Sequence, residues 1–561
     1  MWYNILIEEM EEIKLSKELA ELIFPNITKT PEDYEKMYPA RNLPEGAMVT
    51  RFAPSPTGFI HVGSLFGANL DRRLADQTNG ICYLRIEDTD GKREVDDGIN
   101  LIINGLKVFG IEFDEGPISE TEAKGDYGPY LQSQRKDIYQ CYAKSLVEKG
   151  FAYPCFCTAE ELNEIRERQE KLKVVPGYYG EFAVCRKMSE QQMIERIQNG
   201  EPYIIRLKSP GSMSRKIKFK DMIRGTIEFP ENVQDVVIIK SDGLPTYHFA
   251  HAVDDHLMKT THVIRGEEWI SSVPLHVQLF QVLGFEMPQY IHTPTIMKDD
   301  EGSKRKISKR KDPEASASYY KDNGIPKEAV IDYLMNILNS NFENWRKQNP
   351  LAPLSEFKVD PHKISSSGAL FDLVKLNDVS KNTIATFTAE KIYNEGLEWA
   401  EEYDKDLAEL MKKYKDFTTA ILNIERTGTK VRKDIAKWSE LRENLEYLFD
   451  EVYFEKSHEY EWQSITDINE IKNILSEYLK LYDENDDKDT WFNKMKDLAE
   501  KLGYAREVKE YKANPENYKG HVGDISTVIR VGLTSRRNTP DLYEILKNLG
   551  KERIEKRFNN L

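Results

Sequence analysis

The stretch VTRFAPSPTGFIHVGSL, residues 49–65, decides how the rest of the chain is read. It opens with an alternating run, Val49, Arg51 and Ala53 against Thr50 and Phe52, which suits a short strand. Pro54, Pro56 and Gly58 then break regular structure and make a loop. From Val62 the spacing becomes helical: Val62, Leu65, Phe66, Leu70 and Leu74 share one face. Asn79-Gly80 ends that helix, and ICYLRIED follows as a second, more apolar strand. Strand, tight loop, helix and strand within about forty residues make a nucleotide-binding βαβ unit. Its small-residue loop lets a polyphosphate reach backbone N–H groups and the positive end of the helix dipole. His61 can donate to a phosphate oxygen, and Gly63 leaves room for the nucleotide. Alone, an HxG triplet is weak, and a Pro/Gly surface loop before an ordinary helix reads the same way.

Length and composition bound the answer. At 561 residues the chain should hold three or more domains with ample core. No run approaches the roughly 18 apolar residues of a membrane helix, so no membrane partner is expected. The acidic start (Glu8, Glu9, Glu11, Glu12) does not read as a secretory signal. Five cysteines without an even framework suit a reducing cytoplasm, the expected location. A net charge of −16 argues against nucleic acid if taken whole. Charge is local, however. Lys304, Arg305, Lys306, Lys309, Arg310 and Lys311 form one basic cluster. Arg530, Arg536 and Arg537 form another, with Lys551, Arg553, Lys556 and Arg557 close by in sequence. Acidic bulk with basic faces leaves room for local contact with an anionic partner.

The segment PSPTGFIHVGS resembles the first signature of class I aminoacyl-tRNA synthetases, in the form used by glutamyl-tRNA synthetases. The general class signature ends in a second His; Ser64 stands there, leaving His61 as the main imidazole at the phosphates. The stretch LRIEDTDGKREVDDGI places Glu87 and Asp88 at the carboxyl end of the second strand, where open α/β sheets bind ligands. Thr89 or Asp90 is expected to cap the helix that follows. IEDTD and GPYLQSQRKDIY (residues 128–139) are also similar to the glutamyl and glutaminyl enzymes. KISKR, residues 306–310, resembles the second class I signature in its glutamyl form and stands about 245 residues after the first. The chemistry needs a mobile cation that follows charge onto the α-phosphate. Lys309 supplies it, with Lys306 beside it.

Three further stretches carry candidate groups. YPCFCTAEEL holds Cys155 and Cys157, and Cys185 follows; these could supply three thiolates to zinc, with Tyr178, Tyr179 or water as fourth ligand. Buried or exposed free thiols are the plain alternative. DVVIIKSDGLPTYHFAHAVDDHLMKTTHVIRGEEW puts Arg265 at the end of a strand and Glu267 and Glu268 at the start of a helix. His251 stands where many family members are expected to have Asn. Ahead of the signatures, Leu15, Leu19 and Ile23 suit one short helix, and Pro25, Pro31, Pro39 and Pro44 are expected to leave the rest irregular.

The resemblance implies an α/β fold: a Rossmann-type nucleotide-binding catalytic domain with an inserted acceptor-binding domain, then a mostly helical anticodon-binding region. The expected divisions are an N-terminal extension (1–47), the first Rossmann half (48–150) and the insertion holding the tRNA acceptor end (151–235). The second half with the signature loop (236–311), a stem-contact region (312–378) and the helical anticodon-binding region (379–561) complete it. The implied reaction activates L-glutamate with ATP and Mg²⁺ to glutamyl-adenylate, then moves glutamate to the 3′ end of glutamate tRNA. ATP would meet His61, Gly63, Ser64, Ile307, Ser308 and Lys309. Arg51 and Arg265 would serve the two substrate carboxylates, Glu87 the ammonium, and Ser55, Tyr247 and His251 the remaining contacts. A monomer is expected. Whether glutamine tRNA is also charged stays open. PSPTG rather than PEPNG separates the chain from glutaminyl enzymes. The roughly 180 C-terminal helical residues separate it from a short tRNA-modifying paralogue, and intact His61, Glu87 and Lys309 from a catalytically dead RNA-binding protein.

Overall fold

The computed structural model describes residues 17–561 apart from Thr57, Phe59, residues 91–94, Thr429 and Ser457. Leu15, the acidic start, two positions of the first signature and Gly91–Glu94 of the second anchor therefore lie outside the described residues. The chain divides into two compact units, one of residues up to 319 with 331–372, the other of 320–330 with 373–561.

The first unit is built on the βαβ element. Strand Val49–Phe52 pairs in parallel with Ile81–Leu84, in register Val49 to Ile81 through Phe52 to Leu84. Helix Val62–Gln77 crosses between them and buries Val62, Leu65, Phe66, Leu70 and Leu74, the face that the spacing predicts. On the other side of Val49, the Thr261 N–H donates to the Val49 carbonyl at 2.9 Å. That leads into strand His262–Gly266, which pairs in parallel with Gln289–Thr293. Between the two halves lie an antiparallel sheet of Ala152–Cys155, Ile204–Leu207 and Val237–Ile239 and the hairpin Lys216–Asp221/Gly225–Pro230. The hairpin reaches back to the parallel strands at Asp221, opposite Tyr290.

Residues 17–43 hold two helices where one is expected, while Pro25, Pro39 and Pro44 lie outside helix and strand as expected. Helix Lys17–Ile23 buries Leu19 and Ile23. Pro31 begins a second helix, Pro31–Met37, instead of breaking structure. The first helical position tolerates proline because its missing N–H has no partner there. Thr30 and Asp33 close a reciprocal cap around that turn. Phe24, Ile27, Tyr34 and Tyr38 join the core of the first unit. The Arg41 guanidinium forms a two-bond fork with Glu115 (2.7 and 3.0 Å) and donates to the Met258 carbonyl (3.0 Å). The expected cap at Thr89 or Asp90 is also corrected: the helix is Gly98–Lys107, and its cap residue is Asp97, in the left-handed region at φ 60°.

The second unit is helical and has no strand among its described residues. Its core includes Ile392, Tyr393, Trp438, Leu441, Ile474, Trp491, Ile529 and Leu546. Here the sequence misleads about charge. Arg557 is fully buried; its guanidinium donates to the carbonyls of Tyr447, Leu448 and Leu533 and to Asp450. Arg553 shares Asp450, and Arg530 turns in to the Pro540 carbonyl. Part of the apparent basic face thus ties helix ends together, since unsatisfied C-terminal carbonyls need donors. No described helix in either unit is long and apolar enough to cross a membrane.

Candidate active site

The two signatures meet. His61 is the N-cap of helix Val62–Gln77, and its Nδ1 accepts the Gly63 N–H at 3.0 Å. It forms an antiparallel bridge with Ser316, and the Ala317 N–H donates to the Ile60 carbonyl at 2.9 Å. With Nδ1 an acceptor, a neutral His61 ring carries its proton on Nε2. Its pKa is held below the ordinary value by burial and then by the Lys309 and Lys306 charges.

Lys306 ends the hairpin Ile296–Asp300/Ser303–Lys306. Ile307 is buried, with its N–H bonded to the Ile296 carbonyl at 3.1 Å. The Ser308 N–H donates to Asp312 Oδ2 (2.9 Å), and Arg305 forks onto the same carboxylate (2.6 and 2.8 Å). Asp312 is thereby held well below the usual carboxylate range, chiefly by Arg305. The signature loop is pinned at both ends, with the Lys306 and Lys309 side chains exposed between.

The HVG triplet occurs twice, and the second copy is a control for the first. His521 also caps a helix, with Nδ1 accepting the Gly523 N–H at 3.0 Å. In both copies a Cβ on the glycine would crowd the imidazole, at 3.3 Å for Gly63 and 2.8 Å for Gly523. Gly63 therefore makes room first for His61 itself. The third position differs. Asp524 returns to the His521 N–H at 2.9 Å and fills the positive helix end with a carboxylate. Ser64 brings no charge, which leaves the first helix end open to a phosphate.

Beneath the loop lies a buried ion network that sequence reasoning missed. Arg51 is 4% exposed; its Nε faces both Asp255 oxygens at 3.3 Å, and Nη1 donates to the Ile264 carbonyl. Arg85, fully buried, donates to Asp255 at 2.6 Å and lies 3.3 Å from Glu87. Arg135 donates to Asp254 at 2.7 Å. The available signal was Asp254-Asp255 on helix Tyr247–Leu257, among buried Ala250, Ala252, Val253 and Leu257. Adjacent carboxylates in an apolar helix need cations, because unpaired buried charge is costly. His251 points into this network, with Nδ1 2.6 Å from Asp255 and Nε2 2.8 Å from the Tyr290 hydroxyl. It is fully buried, and its ring also stacks on Tyr247 with centres 6.0 Å apart.

Glu87 keeps about a tenth of its side chain exposed, and its pKa is pushed up to about 7 by burial, against Arg85 and Arg51. Tyr247 packs on Trp269, a residue not singled out in sequence, with ring centres 4.4 Å apart. Ser55 is exposed on the loop.

Arg265 differs from the other arginines. Its Nε donates to His292 Nε2 (3.0 Å), its Nη2 to His276 Nδ1 (3.1 Å), and its face lies on the Tyr290 ring (4.7 Å). Nη1 is buried without a hydrogen bond, and no carboxylate among the described residues pairs with it. His276 continues to His248 (2.9 Å) and His292 to Asp221 (2.8 Å). Burial first, then Arg265, holds His248 down to about 4. His276 lies well below its ordinary value and His292 below it, burial leading in both.

At the end of strand Ala152–Cys155, the sulfurs of Cys155, Cys157 and Cys185 lie within 4.8 Å of one another. Cys157 and Cys185 are 3.6 Å apart, and the Tyr178 hydroxyl is 3.2 Å from Cys157 and 3.5 Å from Cys155.

The chain is similar to known proteins over nearly its whole length. Residues 47–359 match the family described as tRNA synthetases class I (E and Q), catalytic domain, and residues 406–561 match an anticodon binding domain. A glutamate–tRNA ligase of Clostridium perfringens strain SM101 is 54% identical over 541 residues, covering 96% of this chain and 98% of that protein. One from Acetivibrio thermocellus is 50% identical over 546 residues, covering 97% and 99%. A crystal structure of a glutamate tRNA ligase from Elizabethkingia meningosepticum, in complex with its amino acid, superposes with a TM-score of 0.74. It has 26% identity and covers 91% of this chain and 98% of its own.

Proposed function

This chain belongs to the glutamate–tRNA ligase family of class I tRNA synthetases, and from that premise we propose how its residues carry the reaction. It joins L-glutamate to the 3′ end of tRNA(Glu) with ATP, by way of glutamyl-adenylate. The observation that carries the reading is the meeting of His61 and the Lys306–Lys309 loop above an open helix N-terminus.

The helix end and His61 Nε2 hold the ATP phosphates, with Gly63 and Ser64 in the first helical turn. Mg²⁺ bound with ATP would supply charge neutralisation at the phosphates. Ile307 and Ser308 anchor the loop, and Lys309, with Lys306, follows negative charge onto the leaving pyrophosphate. Glu87 takes the glutamate ammonium. Arg265 and Arg51 face the carboxylates, Tyr247 and Ser55 add hydrogen bonds, and His251 steadies Asp255 behind Arg51. Little covalent help from the protein is needed; positioning and electrostatic stabilisation dominate. Residues 151–235 hold the acceptor end and 379–561 read the anticodon. The test is aminoacylation of purified tRNA(Glu) and tRNA(Gln) separately, with glutamate and with glutamine. Glutamate on tRNA(Glu) should be far the best pair; equal kcat/KM for the two amino acids would sink the assignment.

A second reading concerns zinc. Three sulfurs in a cluster, two of them 3.6 Å apart, fit the roughly 3.8 Å edge of a tetrahedron with Zn–S of about 2.3 Å. Tyr178 is the fourth donor. Such an ion would tie the end of strand Ala152–Cys155 to the turn Val184–Lys187 and take no part in activation. Metal analysis of purified protein should find about one zinc per chain, lost in Cys157→Ser.

A further inference from the structure

The geometry points to His276 and His292 as specificity-setting positioning residues: neutral imidazoles that hold Arg265 by two edges, withhold any countercharge, and reserve its charge for the carboxylate that distinguishes glutamate from glutamine. This rests on the glutamate reading above and deepens it.

Of the buried arginines Arg51, Arg85, Arg135 and Arg265, the first three are neutralised within the fold. Arg51 and Arg85 share Asp255, and Arg135 has Asp254. A guanidinium already paired with a carboxylate gains little from a second one, so it discriminates weakly between carboxylate and carboxamide. Arg265 is buried to a similar degree, yet its acceptors are uncharged nitrogens. A buried unpaired cation costs several kcal/mol, and a ligand that brings the missing anion recovers that cost. Glutamine brings none at its side chain.

The hydrogen bonds also fix which ring nitrogens carry protons. Arg265 can only donate, so His276 Nδ1 accepts and its Nε2–H donates to His248 Nδ1 at 2.9 Å. His292 Nε2 accepts, and its Nδ1–H donates to Asp221 Oδ2 at 2.8 Å. Asp221 in turn accepts the N–H groups of Ile223, Arg224 and His292. His292 is the strand partner of Arg265 in the parallel register, so the bond follows from the sheet. Two edges of the fork are taken and Nη1 is left over. Asp221 stands one residue further away, where it orients His292 without touching the guanidinium.

Three substitutions at His276 test this, each measured as kcat/KM for glutamate and for glutamine with tRNA present, alongside a thermal melt. His276→Asn keeps a neutral acceptor where Nδ1 stood and should retain the glutamate preference within a few-fold. His276→Leu removes the acceptor and should raise KM for glutamate about tenfold with kcat changed less. His276→Asp supplies a countercharge and should cut the glutamate-over-glutamine preference about 10- to 100-fold, by losing glutamate and not by folding less well. If the aspartate variant does not fold, the leucine–asparagine contrast decides. The proposal is overturned if Asp leaves the preference intact, or if Asn and Leu behave alike. A wild-type protein with no glutamate preference would instead overturn the functional reading.

Discussion

Glu87→Gln should make the protein more stable and nearly inactive at the same time. Burial lifts the Glu87 pKa from an ordinary 4.5 to about 7. An acid whose folded pKa is raised penalises the folded state wherever the unfolded chain is ionised. The stability is whole below about pH 4.5, falls between 4.5 and 7, and stays down above. The penalty is the shift times 1.36 kcal/mol per unit, about 3 kcal/mol. Glutamine cannot ionise and escapes it. Arg85 loses one contact at 3.3 Å but keeps Asp255 at 2.6 Å, so no buried cation is stranded. Urea denaturation of the unliganded proteins at pH 5 and 8.5 reads the difference. Gln should exceed wild type by up to about 3 kcal/mol at the higher pH and by much less at pH 5. Activity should move oppositely, because the ammonium loses its anion; a loss on the order of 100-fold in kcat/KM for glutamate follows. The wild-type kcat/KM should rise with pH through a pKa near 7, a limb the variant lacks. His248 and His251, at about 4, titrate too low to imitate it. If Glu87→Gln were less stable than wild type at both pH values by the same margin, Glu87 would be a structural partner of Arg85 and the reasoning would be wrong.

Lys309→Ala should lower kcat for adenylate formation about 100- to 1000-fold, the usual loss for one preorganised donor. Transfer from preformed glutamyl-adenylate should be spared and Lys304→Ala should be near neutral in single-turnover measurements of each step. His61→Asn keeps an acceptor for the Gly63 N–H, but its shorter amide puts no donor where the imidazole Nε2–H stood; the thermal melt should hold while KM for ATP rises. Ser64→Asp should turn the first HVG turn into a copy of the second, closing the helix end with its own carboxylate. ATP binding by calorimetry should then fall by about tenfold or more, with no loss of stability. Binding of tRNA should weaken with added salt as counterion release is lost, whereas KM for glutamate at its enclosed site should change far less in the same titration.

Local rules made Val49–Leu65 legible: a period of two, a Pro/Gly break and a period of three to four. Cys155, Cys157 and Cys185 were legible through spacing. Pro31 was misread because a proline that starts a helix looks, in sequence, like one that prevents it. The Arg265 cradle was not legible at all. Asp221, His248, His276 and His292 come from a hairpin, two helices and a strand, and only the pairing of Gln289–Thr293 with two other strands brings them together. Arg557 failed for the opposite reason. A lysine- and arginine-rich terminus reads as a surface, yet the carbonyls of distant helix ends recruit its one fully buried guanidinium.

The docked segment of residues 17–41 has a consequence for synthesis. Arg41 bonds to the Met258 carbonyl across 217 positions, and Glu35 receives His256 across 221. At about 5–20 residues per second, a ribosome takes on the order of 10–40 s to cover that distance. Until then Tyr34 and Tyr38, and the Arg41–Glu115 fork once Glu115 is made 74 residues on, have only the earlier strands to settle on. The antiparallel sheet of Ala152–Cys155, Ile204–Leu207 and Val237–Ile239 must be made, and given room to fold, before the remaining partners emerge. A nascent chain stalled before residue 256 should leave this segment open to protease, and one stalled some forty residues past Lys259 should protect it.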